Sequence, residues 1–157
     1  AVLETDDAFL VARESWIFGP DRAGFADSIV ERATKSEDCG AIADKWSNPS
    51  YSVDMARNLE ALVLNPEARG IVNLCNAGSC SWLEYGQAAL DFAAEAGVEL
   101  KCRVLSPQRC ADMPGFLAER PVHTAMDTTR LDAWTGQKVR PWQEALADYF
   151  GTYYGRR

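Results

Sequence analysis

Histidine is nearly missing: His123 is the only one in 157 residues. A Ser-His-Asp hydrolase would have to be built on that single imidazole, and no G-x-S-x-G nucleophile turn accompanies it. Long apolar runs are also lacking. None approaches the roughly 18 residues of a membrane-spanning helix, and no signal-peptide pattern opens the chain. Positive charge is short too, with 16 Lys and Arg against 23 Asp and Glu, a net charge of -7 and a pI near 4.7. That balance argues against a nucleic-acid partner, which calls for a basic face, since the only notable basic cluster is Arg156 and Arg157 at the tail. Glycine-rich phosphate loops are absent as well: no GxGxxG or GxxGxxG follows a first strand. "NAGSCS" lacks the lysine of a P-loop and reads as a turn capping the next helix. Dinucleotide binding therefore finds no motif inside the chain.

What is present suits one α/β domain. At 47% hydrophobic and 25% charged residues, the chain is long enough to bury a core. The five cysteines, Cys39, Cys75, Cys80, Cys102 and Cys110, are odd in number and untidily spaced. They read as free thiols of a reducing, cytoplasmic compartment. Cys75 and Cys80 bracket "NAGS", but one histidine cannot complete a structural zinc site, so no metal is expected.

Apolar periodicity predicts the elements. "AFLVAR" and "GIVNLC" are near-continuous apolar runs, expected of parallel strands covered on both faces. Phe25, Ile29, Val30 and Ala33 recur at helical spacing up to Lys35. Ser52 is placed to cap a second helix, with Met55, Leu59, Leu62 and Val63 as its stripe and Asn65 and Pro66 as its stop. Ser81 and Glu84 form a capping box for a third helix, lined by Tyr85, Ala88, Ala89, Phe92 and Ala96 and ended by Gly97. "LKCRVL" alternates, Leu100, Cys102 and Val104 against Lys101 and Arg103, as a half-exposed edge strand would. Asp127 is expected to cap a short helix ending at Gly136, and Pro141 to open a last helix through Trp142, Leu146 and Tyr149. No repeat or linker divides the chain.

The ordered series "ARESWIFGP", "GFADSIVERA", "DKWSNPSYSVDMA", "GIVNLCNAGSCSWLEYGQAAL" and "ERPVHTAMDTTRLDAWTGQKVRPWQEALADY" resembles the C-terminal half of the dTDP-4-dehydrorhamnose reductase family. That family belongs to the extended short-chain dehydrogenase/reductases. Its sequences carry R-T-S-W-[VIL]-[YF], then D-Q-x-G-x-P-T before a helix, then G-x-x-[HN]-x-x-x-x-G-x-x-[ST]-W, then R-P-x-x-S-x-L and a W-x-x-[AG]-[LV] helix. Each motif alone is weak; five in order and spacing are strong. The resemblance implies the C-terminal, substrate-binding part of a Rossmann-like α/β fold with parallel strands and packed helices. In the family the cofactor loop and the Y-x-x-x-K pair lie upstream of the strand ending in "SWIF". With no initial methionine, residues 1–157 read as one fragment, without the dinucleotide-binding half.

The implied chemistry is reduction of the C4 keto group of dTDP-4-dehydro-L-rhamnose by NADPH or NADH, with the upstream tyrosine donating the proton and the lysine lowering its pKa. Trp16 would lay its ring against the 6-deoxy sugar, Arg120 of the R-P element would contact substrate, and Ser15 would frame the nicotinamide end. Pro49 and Asp54 match a P-x-x-x-x-D pattern read as structural. The expected partners are the dTDP-deoxysugar and either a second copy or the missing half.

Lys45, Ser47, Ser50 and Glu14 stand where the family has glutamine, glycine, threonine and threonine. Some members bind magnesium through acidic side chains; the aligned position here is Val53, beside Asp54, so the metal is not carried over. Two other readings stay open. One is a noncatalytic module like the regulatory subunit of methionine adenosyltransferase, which lacks the Ser-Trp pair; the other is a different sugar-nucleotide epimerase or reductase.

Overall fold

The computed structural model describes residues 2–113 and 121–155. Helix α1 (Val2–Thr5) leads into β1 (Leu10–Glu14), β2 (Ile17–Phe18), α2 (Phe25–Lys35), β3 (Gly40–Ile42), β4 (Trp46–Ser47) and β5 (Ser50–Tyr51). Next come α3 (Ser52–Leu64), β6 (Gly70–Leu74), β7 (Cys80–Ser81), α4 (Trp82–Glu95), β8 (Ser106–Gln108), a 3-10 turn (Cys110–Asp112), α5 (Thr129–Thr135) and α6 (Trp142–Tyr153). The strands pair two by two: β1 with β6, β2 with β5 and β3 with β8 in parallel, β4 with β7 antiparallel. The α/β class with parallel strands is as the sequence predicts.

Two cores form because two sets of amphipathic elements face inward. Buried residues of α2 (Ala26, Ile29, Val30, Ala33), α4 (Tyr85, Ala89, Leu90, Ala93) and α6 (Ala145, Leu146, Tyr149, Phe150) pack around Phe18 and Tyr51. The second core joins Met55 and Leu62 of α3, Leu131 of α5 and Val139 to Val72 and Leu74 of β6. The capping box at α4 is present as expected: Ser81 Oγ accepts from Glu84 N–H at 3.1 Å, and Glu84 Oε2 accepts from Ser81 N–H at 2.7 Å. Gly136 ends α5 with φ at 69°, the left-handed conformation that glycine adopts without strain.

Several expectations are corrected. The strand pair β1–β6 is covered on one face: Leu10 and Ala12 pack on the second core, while Ile71 is 43% exposed. "LKCRVL" forms no strand. The N–H groups of Lys101 and Cys102 both donate to Ala33 C=O at the end of α2, at 2.8 and 3.1 Å, so these residues are held against a helix end and the ladder starts only at Ser106. Cys102 and Leu105 point inward and Val104 outward, breaking the predicted alternation. Ser52 is the first helical residue of α3; Tyr51 is the N-cap and gives no side-chain cap bond. Val63 of the predicted α3 stripe is 74% exposed, leaving Met55 and Leu62 to the core. Thr128, not Asp127, takes the N-cap position of α5, yet Asp127 still accepts from Thr129 N–H at 3.1 Å.

Candidate functional site

Parallel strands β1 and β6 run in register from Leu10↔Gly70 to Glu14↔Leu74, so both finish at the same edge. Such carboxyl-end edges are where open α/β sheets take ligands. Ser15 and Trp16 follow at once. Trp16 has φ at 34°, the only non-glycine residue in positive-φ space among the described residues. The reason is topological: within two residues the chain leaves β1 and enters β2 to pair with β5, where Trp16 C=O accepts from Ser50 N–H at 3.1 Å and Ile17 lies against Ser50. A non-glycine residue held there costs about 1–3 kcal/mol.

Three rings hold Trp16 in that conformation. Trp82 stacks on it at 5.2 Å and 27°, Tyr85 meets it edge-on at 4.6 Å and 62°, and Phe25 lies tilted at 5.5 Å. Each such pair adds about 0.5–1.5 kcal/mol beyond burial, enough together to offset the backbone strain. Trp16 itself stays half-buried. It packs against the core and keeps part of its surface open at the strand ends.

Ser15 is buried, and its Oγ shares a hydrogen bond with Ser47 Oγ at 2.9 Å. Ser47 is the position where the resemblance would place a glycine. The departure thus supplies the partner that keeps the Ser15 hydroxyl satisfied. Buried Lys45 donates to Pro121 C=O, Trp46 N–H donates to Val122 C=O at 2.7 Å, and the Trp46 ring stacks on His123. Segment 121–124 is thereby laid along β4. Arg120 lies outside the described residues.

Sequence reasoning did not single out the residues that tie these loops together. Asn48 is 2% exposed; its Nδ2 donates to Gly78 C=O at 2.8 Å and its Oδ1 accepts from Met126 N–H at 2.7 Å. Asn76 Oδ1 accepts from Tyr51 N–H at 2.7 Å, and its Nδ2 donates to Asp54 Oδ2 at 2.8 Å. Arg140 grips Asp54 with both Nε and Nη2 at 2.9 Å. A single buried asparagine gives no periodic signal, so nothing in the pattern marks Asn48, Asn76 or Arg140, whereas Asp54 reads as structural from its P-x-x-x-x-D match.

The segment that follows Trp16 in the chain lines a cleft of about 420 Å³, with Ile17, Gly19, Asp21, Arg22, Gly24 and Ser52 among its walls. Gly19 is required there, since a Cβ on it would sit 2.1 Å from Ser52 Oγ. The edge offers aromatic surface and few reactive groups. Burial pushes the Cys75 thiol up to about 11 and Cys80 up to about 12, so neither is a nucleophile at neutral pH. All five cysteines are free. Among the described residues no cluster of three or more His, Cys, Asp or Glu could hold a metal ion, and no helix is long and apolar enough to cross a membrane.

Parallel strand pairs with packed helices, and an aromatic cluster at the strand ends, define an α/β unit of the Rossmann-like class. The chain belongs to the RmlD substrate binding domain family, which matches residues 1–154. It is 26% identical over 147 residues to the spore coat polysaccharide biosynthesis protein SpsK of Bacillus subtilis, covering 94% of this chain and 48% of that protein. It is 28% identical over 142 residues to a dTDP-4-dehydrorhamnose reductase of Aggregatibacter actinomycetemcomitans, covering 87% and 48%. The chain spans about half the length of the curated relatives it matches. Among solved structures, a dTDP-4-dehydrorhamnose reductase of Bacillus anthracis in complex with NADP superposes with a TM-score of 0.79 at 23% identity, over 95% of this chain and 50% of that one. This chain has the fold of that half.

Proposed function

We propose that residues 1–157 form the substrate-binding C-terminal unit of a dTDP-4-dehydrorhamnose reductase, or of a near relative acting on another dTDP-4-keto-6-deoxysugar. The observation that carries the reading is Trp16: a partly buried indole, held against backbone strain by three rings, at the common end of two parallel strands. Its apolar face suits the methyl and ring carbons of a 6-deoxy sugar. The cleft of the following segment carries Arg22, beside Asp21, as a cation for the charged end of a sugar nucleotide. Arg120 is a second substrate contact. Ser15, fixed by Ser47, frames the end of the site that meets the nicotinamide. NADPH or NADH, when bound by the partnering half, supplies the hydride; this chain's residues bind and orient the sugar and exclude water.

The test is a rate measurement on the complete gene product with NADPH and dTDP-4-keto-6-deoxysugars. The parent protein turns over, whereas the 157 residues alone, having no Y-x-x-x-K pair, do not exceed a buffer blank. In the complete protein Trp16→Ala removes a contact of about 2–3 kcal/mol. That lowers kcat/KM by roughly 30-fold or more, at about 1.4 kcal/mol per factor of ten. Near-normal sugar kinetics in the folded fraction of that variant would assign Trp16 to the core alone.

A further inference from the structure

Trp82 is fixed more firmly than a helix-surface tryptophan needs to be. It is the first residue of α4, directly after the Ser81 cap, and its N–H donates to Lys45 C=O at 3.2 Å. Ser81 itself is registered against Trp46 in the β4–β7 pair and is bonded twice by Glu84. The backbone of Trp82 is therefore held from two directions, and its ring is stacked on Trp16 and tilted against Phe25 at 5.3 Å. Trp16 needs such a partner. The bond from Ser50 N–H to Trp16 C=O imposes the strained φ of 34° on the backbone, and ring contacts add to holding it there. Tyr85 touches the ring by an edge and Phe25 at a tilt, and only Trp82 lies near-parallel to it, so Trp82 sets the plane of the Trp16 ring.

We propose that Trp82 is the positioning residue of the sugar site: it does not react, and it fixes the orientation in which Trp16 meets a deoxysugar. The proposal rests on the substrate reading given above. Its signature is a loss of substrate affinity with the chemical step spared, because a misaligned wall weakens binding of ground state and transition state alike.

The experiment uses the complete gene product and the variants Trp82→Leu, Trp82→Phe and Trp16→Phe. Two stacked indoles couple their transitions and give a paired positive and negative band in far-ultraviolet circular dichroism, which reports the stack without any substrate. The pair of bands is expected in the parent protein and lost in all three variants. In Trp82→Leu, KM for the dTDP-4-keto sugar rises roughly tenfold, a loss of about 1.4 kcal/mol, while kcat changes less than about twofold and KM for NADPH is unmoved. Trp82→Phe keeps a flat ring in place, restores most of KM, and serves as the folded variant if leucine destabilises the protein. Bands absent from the parent protein, or lost in Trp82→Leu with KM unchanged, would overturn the positioning role while leaving the substrate reading intact. A parent protein that shows the bands but neither binds nor reduces any dTDP-4-keto sugar would sink the substrate reading and the proposal with it.

Discussion

Replacing Arg140 with methionine should unpick the junction between α3, the end of β6 and the start of α6. Asp54 is 7% exposed, and its carboxylate takes two bonds from the Arg140 guanidinium at 2.9 Å and one from Asn76 at 2.8 Å. Methionine keeps the apolar stem of the side chain and removes the charge. Asp54 is then left as a buried carboxylate with one amide partner, because Arg57 stands 3.7 Å away with its side chain 70% exposed and screened by water. Removing one member of a buried pair costs about 3–5 kcal/mol. Arg140 is itself 28% exposed, so the low end, about 3 kcal/mol, is expected. For a protein of this size that is a fall in Tm of about 6–12 °C. The assay is thermal and urea unfolding of the parent, Arg140→Met, Asp54→Asn and the double variant. Asp54→Asn costs less, because Arg140 retains Asp148 at 3.0 Å. The double variant should be more stable than the sum of the two single losses requires, by at least about 1 kcal/mol. Strict additivity, or a loss under about 1 kcal/mol in Arg140→Met, would refute the reasoning.

Two further outcomes follow from buried groups. Tyr85 Oη is buried without a hydrogen-bond partner, and a hydroxyl in that state costs about 1–3 kcal/mol, so Tyr85→Phe should hold or raise Tm; a clear fall would mean the hydroxyl is bonded in solution. Alkaline pH should destabilise the fold: burial pushes Cys75 from 9.0 up to about 11 and Tyr51 from 10.0 up to about 12, so the unfolded chain releases protons that the folded one keeps. The stability is whole below pH 9 and is lost progressively as pH rises through 11 and 12. A Tm flat from neutral pH to pH 11 would contradict it.

Helices were the legible part of this sequence. Phe25–Lys35 and the Ser81–Glu84 start of α4 follow from spacing and capping chemistry, which are local and need no partner. Strands were legible only where long apolar runs marked them. The short pairs β2–β5 and β4–β7 hold two residues per strand, too few to show any period. "LKCRVL" misled because its alternation is real but its backbone bonds to the end of α2 instead of to a neighbouring strand. At the site, a motif marked Trp16 and Ser15, yet neither the positive φ nor the ring cage is written in local sequence. Phe25, Trp82 and Tyr85 reach Trp16 from helices nine or more positions away in the chain, and Asn48, Asn76 and Arg140 meet only through the fold.

The first turn of α2 is held from the last helix. Asp27 Oδ2 accepts from Gly24 N–H at 2.7 Å, while its Oδ1 accepts the hydroxyls of both Tyr149 and Tyr154, at 2.6 and 2.7 Å. Phe25 lies between Gly24 and Asp27, so one wall around Trp16 is anchored by residues from the opposite end of the sequence. Removing the Tyr154 hydroxyl leaves Asp27 Oδ1 with Tyr149 as its hydroxyl donor. The early and late parts of the described chain thus meet at the first turn of α2.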